Sequence, residues 1–326
     1  MVKVTYDQVV AYRLHVNHLV DRLPPGEYER AVHAGLQDTG PRDALVSLHA
    51  RVTDCPPDSW EDERLVQAYS PRQAVYLLPK RNLGVFTIGR LPSDPQARKE
   101  FDELTDRVCR ELAGHERRGS GPVDMRQATW TGRVVIRWTA SAIFTREVPA
   151  QDIDPSEARR ELCRRHVHAF GPTTTAAYAW WTGLPPADAQ RTWEELADEL
   201  TQVDVDGTTA WILTTDKDTL TAAPEPKGIR LIPAPELRLF GQDKTGLFVG
   251  PGERRKPPGR DSFHAHGVVV DGELAGAWGR SKGKVRVRLA RALTAEQLAR
   301  LEHEVLTMPI PNATMSLVLE RDEMPA

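Results

Sequence analysis

The chain has 326 residues, a formal net charge of -3, and 40% hydrophobic and 27% charged residues, a make-up that argues against disorder and allows several small domains with a substantial core. Three widely spaced cysteines, Cys55, Cys109 and Cys163, form no CxxC pair, which argues against a disulfide framework or a cysteine zinc site and for a reducing cytoplasm. No basic-then-apolar leader opens the chain and no run of eighteen apolar residues occurs, so a soluble protein without membrane contact is expected.

In chain order, the periodicity predicts a helix from Thr5 to Arg22, capped by Thr5, with Val9, Val10, Leu14 and Leu19 as its apolar stripe. A short helix from Glu27 to Ala34 follows the Pro24-Pro25-Gly26 turn and stops at Gly35. The polar triplet Gln37-Asp38-Thr39 comes next, then the Gly40-Pro41 breaker and a helix ending near Thr53 with Ala44, Leu45, Leu48 and Val52 on one face. Asp62 to Tyr69 reads as a further helix, and AVYLLP (74–79) and GVFTIG (84–89) read as strands. Short helices closed by a two-stranded hairpin are the order of a winged helix-turn-helix.

That order recurs twice. The second unit has an amphipathic helix from Asp94 to His115 through Phe101, Leu104, Val108 and Leu112, a short helix from Asp124 to Trp130, and the strands GRVVIRW and AIFTREV. The third has a helix from Asp154 to Phe170, a helix capped by Thr173 or Thr174, and PADAQRTWEELADEL as a helix with proline in its first turn. TQVDVDGTTAWIL closes it as a hairpin turning at Asp206-Gly207. After the linker Pro224 to Gly228 the strands IRLIPA, GLFVG, AHGVVVDGELAGAWG and KVRVRLA follow. A helix from Thr294 to Leu306 comes last, with Thr294 and Gln297 in capping-box positions. The predicted fold is α+β: tandem winged helix-turn-helix units at 1–92, 93–153 and 154–223, then a C-terminal β-rich segment at 224–326.

Charge is unevenly spread. From Lys227 to Arg291 basic residues outnumber acidic ones by roughly two to one, while Asp188 to Asp218 is acid-rich. Arg254, Arg255, Lys256 and Arg260 stand in a Gly/Pro-rich connection, 250–266, which reads as a surface loop or as a probe lying along a DNA groove. Arg280 adds a further positive charge. From Lys282 the residues Lys282, Lys284, Arg286 and Arg288 alternate along a predicted strand, a stripe that suits a solvated or polyanion-facing surface but not a core.

The segments AGLQDTGPRDALVSLHARV, SEARRELCRRHVHAFGPTTTAAYAWWTGL, LIPAPELRLFGQDKTG and VVVDGELAGAWGR stand in the order of the winged-helix DNA glycosylases of the AlkZ/YcaQ type, and the chain resembles that family over nearly its whole length. The most specific parts are His168 to Leu184 and the strand pair around Asp271-Gly272 ending at Trp278. The family includes azinomycin self-resistance enzymes and interstrand-crosslink glycosylases. The resemblance implies tandem winged helices shaping a concave basic surface for duplex DNA, and hydrolysis of the N-glycosidic bond of alkylpurines. The family's catalytic Gln-x-Gln or Gln-x-Asp falls at Gln37-Asp38-Thr39, where Gln37 matches the first residue and Thr39 does not match the third. Pro235-Glu236 stands where the family tends to have Phe-Asp.

A purine alkylated at N7 or N3 is already cationic, so it leaves without protonation. The protein then has to position a water below C1′ and stabilise an oxocarbenium-like sugar. An amide orients water, whereas a carboxylate also accepts its proton. Asp38 has that basicity but sits one residue off the pattern, and Asp38 or Thr39 before a helix also fits an N-cap. Gln37, Asp38 and Thr39 are the candidate catalytic residues, and no metal or cofactor is expected.

His166-x-His168 lies on a predicted helix, where alternate side chains diverge. His264-x-His266 lacks an acidic or cysteine partner close by. Trp180-Trp181 reads as a helix–helix core pair, and Tyr69, Arg72 and Tyr76 as core or surface residues able to stack or to touch phosphate. The expected protein is a cytoplasmic, nucleoid-associated monomer that binds alkylated or adducted duplex DNA. The alternative is a non-catalytic winged-helix DNA-binding protein, a lesion sensor or regulator, which Thr39 favours.

Overall fold

The computed structural model describes residues 2–119, 123–241 and 266–320; the strand expected at GLFVG (246–250) lies outside them. Strand β1 (Val2–Val4) leads into helix α1 (Tyr6–Val16), which opens on a capping box between Thr5 and Gln8. The helix ends before Arg22 because Asn17 donates its amide to the carbonyls of Arg13 and Ala169, and His18 turns left-handed with φ 58°. Helix α2 (Tyr28–Ala31), strand β2 (Leu36–Gln37) and helix α3 (Asp43–Arg51) follow.

Two elements are of the opposite type to the sequence expectation. The stretch 62–69 is strand β3 (Leu65–Tyr69), fully buried and paired antiparallel with β4 (Val75–Pro79). Backbone pairing on both sides outweighs the helical look of a short apolar run. GVFTIG is instead helix α4 (Leu83–Thr87) running into a 3-10 turn at Ile88–Arg90. Its glycines mark close approaches. A Cβ at Gly89 would lie 2.7 Å from the Ala158 carbonyl oxygen, and one at Gly84 2.7 Å from the Ile153 Cγ2.

Helix α5 (Pro95–Leu112) is capped by Asp94, and β5 (Arg117–Arg118), α6 (Val123–Ala128), β6 (Val134–Trp138) and β7 (Ile143–Glu147) follow. Helix α7 (Pro155–Phe170) is capped by Asp154 and α8 (Thr175–Thr182) by Thr174. After α9 (Pro186–Glu195), strands β8 (Leu200–Val205) and β9 (Thr208–Leu213) turn at Asp206-Gly207, both at positive φ as a tight hairpin requires. Helix α10 (Lys217–Thr221) leads to β10 (Ile229–Ile232) and a 3-10 segment at Ala234–Phe240. Strands β11 (His266–Val270), β12 (Glu273–Ser281) and β13 (Lys284–Leu289), helix α11 (Ala295–Leu306) with its Thr294–Gln297 capping box, and β14 (Ser316–Glu320) complete the described chain.

Three sheets organise these elements. The first is β1-β8-β9, with β1 parallel to β8. The second, β2-β4-β3-β6-β7-β5, joins the hairpins of the first two helical segments through the pair Gln67–Ile136. The third, β10-β11-β12-β13-β14, is covered by α11, and its core of Val268, Val270, Trp278, Val285 and Val287 also takes Val46 from α3. The largest core runs continuously from α1 through β4 and α4 to α7 and α8. No helix among the described residues is long and apolar enough to cross a membrane.

Candidate active site

Gln37 ends the edge strand β2, directly opposite Tyr76 of β4. The Asp38 N–H extends that pairing by donating to the Val75 carbonyl at 2.8 Å. Because side chains alternate along extended backbone, Gln37 and Asp38 point to opposite sides. The Gln37 amide nitrogen donates to the Thr39 hydroxyl at 2.5 Å, and its oxygen accepts from the Tyr76 hydroxyl at 3.3 Å. Behind Tyr76, Nη1 of Arg238, from the 3-10 segment, donates to the phenol oxygen at 3.1 Å. Gln37 is 7% exposed, Tyr76 is fully buried, and Thr39 is exposed. An amide held from behind thus meets a hydroxyl at the surface.

Asp38 faces inward. One carboxylate oxygen accepts from the Ala44 backbone N–H at 3.0 Å, closing an orphan donor in the first turn of α3, and the other accepts from the Gln67 amide at 2.9 Å. The Gln67 oxygen in turn accepts from the Trp138 N–H at 2.6 Å. Burial raises the Asp38 carboxyl to about 7, with the nearby Asp43 adding to the shift, against the opposing pull of its two hydrogen bonds and of Arg42.

The turn that carries Thr39 is pinned from three directions. Arg42, left-handed at φ 73°, stacks 4.0 Å over Trp60 and donates to the carbonyls of Trp138 and Thr139. Asp43 accepts from the Gly40 N–H at 2.8 Å. Arg280 of β12 donates to the Pro41 carbonyl at 2.9 Å and to the Lys282 carbonyl at 3.0 Å, which sets the β12–β13 turn beside the triplet. Burial pushes the Asp43 carboxyl up and the nearby His266 imidazole down, while the charge of each opposes the other's shift. His266 stacks on Trp278 with centroids 4.4 Å apart, and its Nδ1 accepts from the Ala234 N–H.

The other sequence candidates divide. Lys284 and Arg286 are exposed on β13, opposite buried Val285 and Val287, and half-buried Arg288 pairs with Glu320 at 3.3 Å. Lys282 does not share that strand face: it sits in the β12–β13 turn at φ 53°, where the chain reverses. Arg254, Arg255, Lys256, Arg260 and His264 lie outside the described residues. His166 is core, ringed by Phe170, Tyr178 and Trp181. His168 Nδ1 lies 2.7 Å from Asp216. Among the described residues no group of three or more His, Cys, Asp or Glu side chains is placed to hold a metal ion. Trp181 is buried, and Trp180 carries the Arg72 guanidinium at 4.4 Å.

Arg238 and Gln67 were not among the sequence candidates, and Tyr76 stood there as a core or surface residue able to stack or to touch phosphate, not as a partner of Gln37. All three reach the triplet through β2–β4–β3 pairing and the packing of 234–240, which no local pattern announces. Glu236 is held in a buried ion pair: it accepts from Arg51 of α3 at 2.5 Å, both side chains 2% exposed.

Residues 122–308 match the family model described as DNA glycosylase AlkZ-like, a range that leaves out Gln37, Asp38 and Thr39. A segment of 129 residues, 38% of this chain, is 32% identical to an interstrand DNA cross-link repair glycosylase of Streptomyces sahachiroi and spans 35% of that relative's length. The solved structure of Streptomyces sahachiroi DNA glycosylase AlkZ is similar in fold, with a TM-score of 0.75 at 19% identity, over 98% of this chain and 100% of that one.

Proposed function

The chain belongs to the AlkZ-like DNA glycosylase family, and from that premise we propose that it hydrolyses the N-glycosidic bond of alkylated purines in duplex DNA, without cofactor or strand cleavage. The observation that supports this reading most directly is the Gln37–Thr39 pair at the surface, with Asp38 turned into the protein. A cationic alkylpurine needs no acid to leave, so an amide and a hydroxyl suffice to hold the attacking water and to meet the developing sugar cation. The groups hydrogen-bonded around Gln37 are a hydroxyl and a phenol, and neither forms the Schiff base that strand cleavage requires. Cross-linked or bulky adducts are the first substrates to try, because the matched relative is named for repairing cross-links. The protein acts as a monomer on cytoplasmic, nucleoid DNA.

The test is single-turnover base release from an N7- or N3-alkylated duplex, read by mass spectrometry. Gln37→Ala slows release by about ten- to thousandfold, the range for losing one oriented polar group at a developing charge. Duplex affinity stays within a few fold, because phosphate contacts dominate binding. A second reading, a non-catalytic DNA-binding protein, is favoured by the hydroxyl at position 39, which brings no basicity. It wins if the wild type binds every alkylated duplex tried and releases no base.

A further inference from the structure

Arg238, Tyr76, Gln37 and Thr39 form one hydrogen-bond chain, and its first member fixes its direction. A guanidinium only donates, so at 3.1 Å the Tyr76 oxygen is an acceptor and its own hydrogen is left to donate. That hydrogen is directed to the Gln37 amide oxygen 3.3 Å away. With the oxygen held there, the amide nitrogen faces Thr39, whose hydroxyl oxygen accepts from it. Thr39 is therefore left with an outward O–H and one lone pair, and it is the exposed end of the chain.

The opposite amide orientation reverses this. The nitrogen would then compete with Arg238 for the phenol oxygen, and the Thr39 hydrogen would turn inward to the amide oxygen. Tyr76 is fully buried and Arg238 and Gln37 are each 7% exposed, so bulk water has little access to compensate a wrong orientation. We propose that Tyr76, oriented by Arg238, is a positioning residue that selects the Gln37 amide orientation and thereby aims the Thr39 hydroxyl outward. This rests on the reading that Gln37 and Thr39 serve glycosidic hydrolysis. The free lone pair then accepts a hydrogen bond from the attacking water, whose proton passes to bulk solvent as the bond to C1′ forms, while the O–H donates to an acceptor on the substrate.

Tyr76→Phe removes the directing hydrogen and keeps the ring. Single-turnover release slows about ten- to hundredfold, as for hydrogen-bond partners that stand behind a reacting group, while duplex affinity stays within a few fold. Adding Tyr76→Phe to Gln37→Ala costs nothing further, because both act through one amide. A readout independent of activity is the Gln37 side-chain 15N–1H signals of the full-length protein, which shift and exchange faster in Tyr76→Phe. Losses that multiply in the double variant, or a Tyr76→Phe protein with wild-type rate and unmoved Gln37 signals, overturn the proposal. Should the wild type release no base, the glycosylase reading falls, and the amide signals alone decide whether Tyr76 positions Gln37.

Discussion

Asp38 carries a charge in a place that resists it. The two hydrogen bonds it accepts stabilise the carboxylate, but 3% exposure wins and raises its proton affinity to about 7, against 3.8 for the unperturbed group. The folded state thus holds a proton between about pH 4 and pH 7 that the unfolded chain releases. Its contribution to stability falls as pH rises through that window and is flat above it. Asn caps a helix nearly as well as Asp and does not titrate. The stability advantage of wild type over Asp38→Asn accordingly shrinks from pH 5 to pH 8, by up to about 3 kcal/mol at about 1.4 kcal/mol per pH unit. Urea denaturation of both proteins at the two pH values reads it, and equal pH slopes would return Asp38 to the ordinary carboxylate range. Release by Asp38→Asn stays near the wild-type rate, since both carboxylate oxygens face away from Thr39. At this scale the triplet was legible in the sequence as a polar motif whose catalytic role is proposed, as was the opposite facing of Asp38, which follows from alternation. Tyr76 and Arg238 were not, because they lie 39 and 201 positions from Gln37 along the chain and only sheet pairing and packing bring them to it.

Helix α3 and the 3-10 segment 234–240 are joined by a buried ion pair that carries more than stability. Arg51 donates to Glu236 at 2.5 Å and to the Ser47 carbonyl at 3.1 Å, out of reach of solvent. Removing one partner of such a pair strands the other charge and costs about 3–5 kcal/mol. Glu236→Ala loses that much in urea denaturation, and a loss below about 1 kcal/mol would show that Arg51 finds another partner. Because Arg238 lies two residues on, the same change loosens the Tyr76–Gln37 orientation and slows base release. The helices with strong starts, at Thr5, Asp94, Asp154, Thr174 and Thr294, could be read from the sequence because each cap is a local hydrogen bond. β3 and α4 could not. Both are short apolar runs buried on every side, for which periodicity does not separate strand from helix. Partner strands decided the first, and packing against α7 through Gly89 decided the second.

Across the whole molecule, a protein of net charge -3 is proposed to bind a polyanion, so its positive charge has to be gathered rather than abundant. The Lys227–Arg291 segment is where the sequence gathers it. Arg280 bridges the Pro41 carbonyl and the β12–β13 turn, which brings Lys282, and the strand that begins at Lys284, next to the turn bearing Thr39. A duplex seated over Thr39 therefore meets the basic end of the C-terminal sheet. The 250–266 segment precedes β11 in the chain and carries Arg254, Arg255, Lys256 and Arg260. Each phosphate neutralised releases counterions, so affinity for duplex DNA falls with salt at a log–log slope of about -0.9 per phosphate. Replacing Arg254, Arg255 and Lys256 together by Ala flattens the slope by about 0.9 for each phosphate left without its cation, and Lys282→Ala with Lys284→Ala does the same through the sheet. The two sets lie on separate segments and their effects on the slope add. Fluorescence anisotropy from low to moderate salt measures all four proteins, wild type, each set and both together. A slope unchanged by the loop set removes 254–256 from the interface, and one unchanged by the sheet set moves the duplex away from the edge that Arg280 builds.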